Sequence, residues 1–171
     1  MNTDATKIAA PLISYRDRVK PEWIDSNDHL NTMHYKTIAD WGTRTLFALA
    51  GWDAHYRESN RKTIFQLEMH IAYERELRLD QPFEVRSWLI AADAKRLHHF
   101  HEIVQTADHY RAATVELMSM HIDDATRRSV PFSPELQQGF QKILAVHSAA
   151  KPPSNVSRRI GMAQQGPHRG A

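Results

Sequence analysis

The stretch Trp23-Ile24-Asp25-Ser26-Asn27-Asp28-His29-Leu30-Asn31 holds two carboxylates, one imidazole and two amides, the densest concentration of reactive groups in the chain. A carboxylate beside a carbonyl can act as general base through water or attack directly as a nucleophile. The same residue types are the usual helix caps and turn formers, so Asp25, Asp28 and Asn31 could equally do no more than turn the loop and start a helix. From about Thr32 to Ala50, the residues Tyr35, Ile38, Ala39, Gly42, Leu46 and Leu49 recur at three- and four-residue spacing, which predicts a long amphipathic helix stopped by Gly51. The amides of Thr32, Met33 and His34 would form the positive end of that helix, where they could stabilise an oxyanion.

The elements that must hold this loop follow from a change of period. Ile13 to about Trp23 reads as a short strand bent or ended by Pro21. After the helix, Leu67, Met69, Ile71 and Tyr73 alternate with polar or small residues in Thr63–Tyr73, which predicts a strand with a dry face and a polar face carrying Glu68 and His70. Three similar stretches follow, about Phe83–Ala92, Arg96–Thr106 and Tyr110–Ile122, and the breaks before each, Asp80–Pro82, Ala92–Lys95 and Ala107–His109, are short enough for antiparallel hairpins or near-hairpins that pair each strand with the next. Ser133-Pro134-Glu135-Leu136 places a capping residue before Pro at the first helical position and opens a helix to about Val146. The reading is α+β: a long central helix covering a five-stranded antiparallel sheet, with a C-terminal helix. Large residues such as Trp88, Phe100 and Met118 or Met120 would remain on the other face of the sheet, and a second copy of the chain is the expected cover.

Composition bounds the rest. The chain has 171 residues, enough for one ordinary domain, with 42% apolar and 25% charged residues. A formal net charge of +2 gives no sign of a nucleic-acid partner, and the absence of cysteine excludes disulfides and thiolate chemistry. No apolar run reaches the length of a membrane span, so a soluble, cytoplasmic protein is expected. A domain over 13–148 and a flexible basic tail over 149–171, rich in Pro, Gly, Ser and Arg, complete the division. His99 and His101 share a strand face, but no third ligand lies near in sequence and no metal site is expected.

The spacing Val19-x5-Asp25-x2-Asp28-His29-x-Asn31-x3-Tyr35 resembles the hotdog-fold acyl-CoA thioesterases of the 4-hydroxybenzoyl-CoA thioesterase type, which carry Asp-x-x-Gly-His-x-Asn-x-x-x-Tyr in the loop entering the central helix. Tyr73-Glu74-Arg75-Glu76-Leu77 followed by Asp80 is similar to the family's Tyr-x-x-Glu-Leu-x-x-Gly-Asp. Asp93-Ala94-Lys95-Arg96-Leu97-His98 with His101-Glu102 resembles the branch containing betainyl-CoA thioesterase. The joint spacing over about Tyr15 to Val130 makes the resemblance specific. Two positions depart from it: Asp28 stands where the family has Gly, and Leu79-Asp80-Gln81 replaces its downstream turn.

The resemblance implies a hotdog fold and hydrolysis of an acyl-CoA thioester, with Asp25 at the position of the catalytic carboxylate. His29 and Asn31 would stand beside it, and Glu68 and His70 would reach a pocket at a subunit interface. Trp23, Thr32, Met33, His34 and Tyr35 are expected on the substrate side, and Lys95 and Arg96, on a hairpin turn, are the expected partners of the CoA diphosphate. Trp23, Tyr35, Trp41 and Trp52 could enclose a quaternary ammonium acyl group, in keeping with betaine and carnitine metabolism. Coenzyme A is part of the substrate, no cofactor is implied, and self-association as a dimer or tetramer is expected. An enoyl-CoA hydratase-like lyase and a non-catalytic acyl-CoA binding module are the alternatives that the same fold can host.

Overall fold

The structure is a computed structural model and describes residues 8–157. Strand β1 (Leu12–Arg18) leads through a 3-10 turn at Pro21–Trp23 and the polar loop to helix α1 (Thr32–Ala48). Helix α2 (Ala54–Asn60) and strand β2 (Lys62–Tyr73) follow, then β3 (Pro82–Ala92), β4 (Arg96–Gln105), β5 (Tyr110–Asp123) and helix α3 (Pro134–Ser148). The five strands form one antiparallel sheet in the order β1-β3-β4-β5-β2, the hotdog arrangement of a sheet wrapped on a long helix.

Helix α1 buries Tyr35, Ile38, Ala39, Gly42 and Leu46 of the stripe that the spacing predicts, and also Phe47, while Leu49 is the half-buried cap beyond the helix end. Gly42 is required by a close approach: a Cβ there would stand 2.7 Å from Ser14 Oγ and 2.8 Å from Val85 Cγ1. Beneath this contact runs a dry polar seam. Ser14 and Ser87 hydroxyls lie 2.6 Å apart, Ser87 meets His101 Nδ1 at 2.6 Å, and His101 Nε2 meets Thr43 Oγ1 at 2.9 Å and His99 Nδ1 at 3.1 Å. His99 Nε2 ends the seam on Ser119 Oγ at 2.9 Å, so both buried imidazoles are partnered at both nitrogens.

Three expectations are corrected. The strands β2 and β3 are consecutive but do not pair; β2 lies at one edge beside β5, and β3 lies between β1 and β4. Their connection crosses the end of the sheet, because Leu77 is fully buried and its carbonyl accepts from Leu30 N–H at 2.7 Å, while Asp80 N–H donates to Val19 O at 2.9 Å. Periodicity sees an alternation but not which neighbour completes it. Secondly, Leu67 and Tyr73 of β2 are 51% and 52% exposed, because the helix layer does not close over this margin of the sheet and Leu67 lines the open space between α1, α2 and β2.

Thirdly, Trp88 and Phe100 are buried within a single chain and do not form the uncovered patch expected to recruit a second copy. His147 of α3 meets the Trp88 ring edge-on at 5.7 Å and accepts from Leu89 N–H at 2.8 Å. Residues 149–157 then continue over the face opposite α1. Arg111 donates to Ser154 Oγ at 2.8 Å, Asn155 donates to Glu74 at 3.2 Å, and Ser157 N–H donates to both Glu116 oxygens at 2.9 Å. The remainder of the expected tail, with Arg158 and Arg159, lies outside the described residues.

Helix α3 begins as its sequence requires, with Ser133 as cap and Pro134 in the first turn. It packs against the end of α1 so closely that a Cβ on Gly139 would stand 2.7 Å from Ala50 Cα.

Candidate active site

The polar loop closes on itself in front of α1. Ile24 and Leu30 form a bridge, Asp25 N–H donates to His29 O at 3.0 Å, and Asp28 N–H donates to Asp25 O at 3.1 Å. Asp28 takes φ 60°, a left-handed conformation that Gly adopts freely and Asp tolerates better than most residues. The downstream departure behaves alike: Asp80 also has φ 60°. Both positions where the resemblance has Gly thus take a conformation that Gly adopts freely.

Asp25 Oδ1 accepts from Asn27 N–H at 2.8 Å and lies 3.6 Å from His29 Nδ1. The side chain of Asp25 is 18% exposed, so it is held by the loop and still reachable. Asn31 is the N-cap: its Oδ1 accepts from Met33 N–H at 3.0 Å, and its carbonyl accepts from His34 N–H at 3.0 Å. Of the three amides expected to face an oxyanion, Met33 and His34 are therefore engaged within the turn. Thr32 N–H has no partner among the described residues, and Thr32 is exposed at the positive end of a 17-residue helix.

The remaining expected residues fall into separate places. Trp23 and Tyr35 are buried in the core: Trp23 stacks on His34 at 5.5 Å and packs on Trp41 and Phe83, and Tyr35 meets Tyr73 edge-on at 5.2 Å. Burial pushes the Tyr35 hydroxyl up to about 12, so it stays protonated. Met33 projects into solvent. Glu68 and His70 pair in register with Met118 and Glu116, whose neighbours Val115 and Leu117 fill the core, which puts them on the sheet face opposite α1. There they border a hollow of about 300 Å³ with His98, Glu116 and Ser157; His98 Nε2 meets Glu116 Oε1 at 2.6 Å. One chain does not bring Glu68 or His70 to Asp25.

Lys95 and Arg96 form the β3–β4 turn as expected. Asp93 accepts from both their amides at 2.8 and 2.7 Å, and from Arg96 Nε at 2.7 Å. The amide of Lys95, then the Arg96 side chain, hold the Asp93 carboxyl below its ordinary range. Trp23 packs against Phe83 at the start of β3, and the turn follows the other end of that 11-residue strand, roughly 30 Å away along the sheet.

A larger cavity, of about 740 Å³, opens between α1, α2 and β2. Its walls include Phe47, Trp52, Ile64 and Leu67, with the charged groups Asp40, Arg44, Asp53 and Arg57. Trp52 is the one ring of the expected aromatic enclosure found there. Helix α2 has no counterpart in the sequence pattern because seven residues are too few to show a period, and its one local signal is Asp53, which caps it by accepting from Tyr56 N–H at 2.8 Å. Asp25 does not border the cavity, which begins at Asp40, roughly 12 Å along α1 from Thr32.

A family model described as the thioesterase-like superfamily matches residues 19–140, from the end of β1 through the polar loop and sheet into α3. The chain belongs to that superfamily. It is 32% identical over 151 residues to the betainyl-CoA thioesterase of Pseudomonas aeruginosa, an alignment covering 88% of this chain and 95% of that protein. Against the L-carnitine dehydrogenase/betainyl-CoA thioesterase of Rhizobium meliloti the identity is 28% over 153 residues, covering 90% of this chain and 31% of that longer protein. A Staphylococcus aureus protein solved in complex with CoA superposes with a TM-score of 0.83 at 27% identity, covering 92% of this chain and 99% of that one.

Proposed function

We propose that the chain hydrolyses an acyl-CoA thioester to a free acid and coenzyme A at the loop before α1. The observation that carries this reading is the Asp25 carboxylate, held by Asn27 N–H and still reachable, in front of a helix whose Thr32 amide is unpartnered. A thioester oxygen at that amide gains the positive end of α1 as charge develops on it. Asp25 then removes a proton from water as the water adds, or attacks the carbonyl itself; the carbon–sulfur bond breaks and the thiolate leaves. In the second route water opens the resulting mixed anhydride. The Asn31 Oδ1 is spent on the cap, which leaves its amide N–H groups to orient water, while His29 steadies the Asp25 side of the loop.

The assay is thiol release from a panel of acyl-CoAs. Betainyl-CoA heads the panel because the relatives carry it in their names, and on the same ground we link the activity to betaine and carnitine metabolism. A hydratase would consume an enoyl-CoA without releasing thiol, and a binding module would do neither. The need for a CoA ester as substrate argues for a cytoplasmic enzyme; among the described residues no helix is long and apolar enough to cross a membrane.

Self-association belongs to the same proposal. Strand β2 is an exposed edge carrying Leu67, Met69 and Tyr73, and two such edges can pair antiparallel about a two-fold axis. That pairing sets the Tyr73 end of one copy beside the Ile64 end of the other. The Tyr73 end carries Tyr35 and the start of α1, and the Ile64 end borders the large cavity, so the Asp25 loop of each copy would face the cavity of its partner.

A further inference from the structure

Most arginines among the described residues are neutralised locally. Arg111 is held by Glu74 at 2.7 Å and Glu102 at 2.8 Å, Arg96 by Asp93, and Arg86 by Glu84. Arg44 of α1 and Arg57 of α2 differ in both respects that matter for a ligand. They border the same cavity, and neither takes part in an ion pair among the described residues.

The reason is visible in their neighbours. Asp40 and Asp53 stand on the same walls one helical turn before Arg44 and Arg57, where an i,i+4 ion pair would be ordinary. Asp40 is instead occupied by Lys36 at 2.6 Å and by Gln66 Nε2 at 2.8 Å, and Asp53 by the Tyr56 amide at 2.8 Å. Both guanidinium groups are thus left with unspent donors beside an apolar chamber of Phe47, Trp52, Ile64 and Leu67. A guanidinium matches a phosphate or carboxylate with two parallel N–H donors, and two of them at one mouth can share a single anionic group.

We propose that Arg44 and Arg57 bind an anionic group of the substrate at the mouth of this cavity, a role expected at first for Lys95 and Arg96. The inference rests on the acyl-CoA reading. The anion is a phosphate of the CoA moiety or a carboxylate on the acyl group; both present the same paired oxygens to guanidinium. Arg96 is the weaker candidate, because Asp93 already occupies its side chain.

The test uses the full chain, Arg44→Gln, Arg57→Gln and the double variant. Both positions are exposed, so the fold tolerates the change, and Arg→Lys at each position retains charge without the fork. The readouts are KM and kcat by thiol release with butyryl-CoA, succinyl-CoA and butyryl-pantetheine, together with calorimetric binding of CoA alone. The double variant should raise KM for butyryl- or succinyl-CoA at least about tenfold, with a much smaller effect on kcat, because such contacts are made equally in ground and transition states. If the anion is a CoA phosphate, CoA binding weakens in parallel and butyryl-pantetheine is unaffected. If it is an acyl carboxylate, the wild-type preference for succinyl- over butyryl-CoA collapses while CoA binding stays as it was. Unchanged KM, CoA affinity and succinyl-to-butyryl ratio in the double variant overturn the inference. Failure of the wild type to release thiol from any ester overturns the acyl-CoA reading instead, and the calorimetry still reads the anion site.

Discussion

Asp25 is the residue on which the proposed chemistry turns, and its environment makes a clean test possible. Asn27 N–H donates to its Oδ1, a bond that an asparagine oxygen can also accept, so Asp25→Asn keeps the loop while removing charge and basicity. Turnover should fall at least about a hundredfold with an unchanged melting temperature, measured by thiol release and circular dichroism. Asp28 makes the opposite prediction. Its φ of 60° costs a non-glycine residue something, and Asp28→Gly removes that cost. The variant should be as stable as the parent or up to about 1 kcal/mol more so, at unaltered turnover, in a urea titration paired with the same assay. At this scale the sequence was legible in the motif but not in its wiring: that Met33 and His34 amides are consumed by Asn31 depends on the cap geometry, which spacing alone does not contain.

The elements show where periodicity is a sufficient guide and where it is not. Helix α1 was readable because its buried stripe repeats through its length, and Gly42 within it marks the close contact with β1 and β3. Gly42→Ala would press a methyl against the Ser14 and Val85 side chains and should cost about 1–3 kcal/mol in a denaturant titration, since both are short side chains held in a packed interior with little room to relax. The seam below it adds a pH dependence. Burial, with His101 and then His98 nearby, holds His99 well below its ordinary range, and burial takes His101 down to about 3 despite Asp40. These groups are neutral in the fold and accept protons once unfolded, so their contribution is present above the unfolded value of about 6.5 and is lost as pH falls below it. Phe47, Thr43, Ser87 and Ser119 face them and do not titrate in this range. His121 and His147, also lowered by burial, act in the same direction, whereas the lowered carboxyls of Asp17 and Asp93 matter only nearer pH 4. Stability should therefore drop between about pH 6.5 and 4.5 by up to roughly 1.4 kcal/mol per pH unit for each histidine, and His101→Gln should flatten the slope; an equal slope in that variant would remove His101 from the account.

For the whole molecule, the order of strands decides what one chain can do alone. A hairpin would pair β2 with β3; the crossing connection through Leu77 pairs it with β5 instead and leaves its other edge open. The sequence contains Leu67, Met69 and Tyr73 in either case, and only the tertiary structure shows that no helix closes over them. The same topology leaves Asp25 at one end of α1 and the large cavity toward the other, a separation that an antiparallel pair of β2 edges would close by setting each loop against the partner's cavity. On the proposed pairing, turnover requires the dimer. Met69→Glu tests this without harming the subunit, because its side chain is already exposed in one chain and does not line the large cavity. In analytical ultracentrifugation the parent should sediment as a dimer or larger and the variant as a monomer, since like charges facing across a strand pair oppose its formation. The monomer should retain its circular dichroism spectrum and lose turnover at least about tenfold, because the reacting groups are no longer held in one geometry. A folded monomer with full activity would show that one chain carries a complete site.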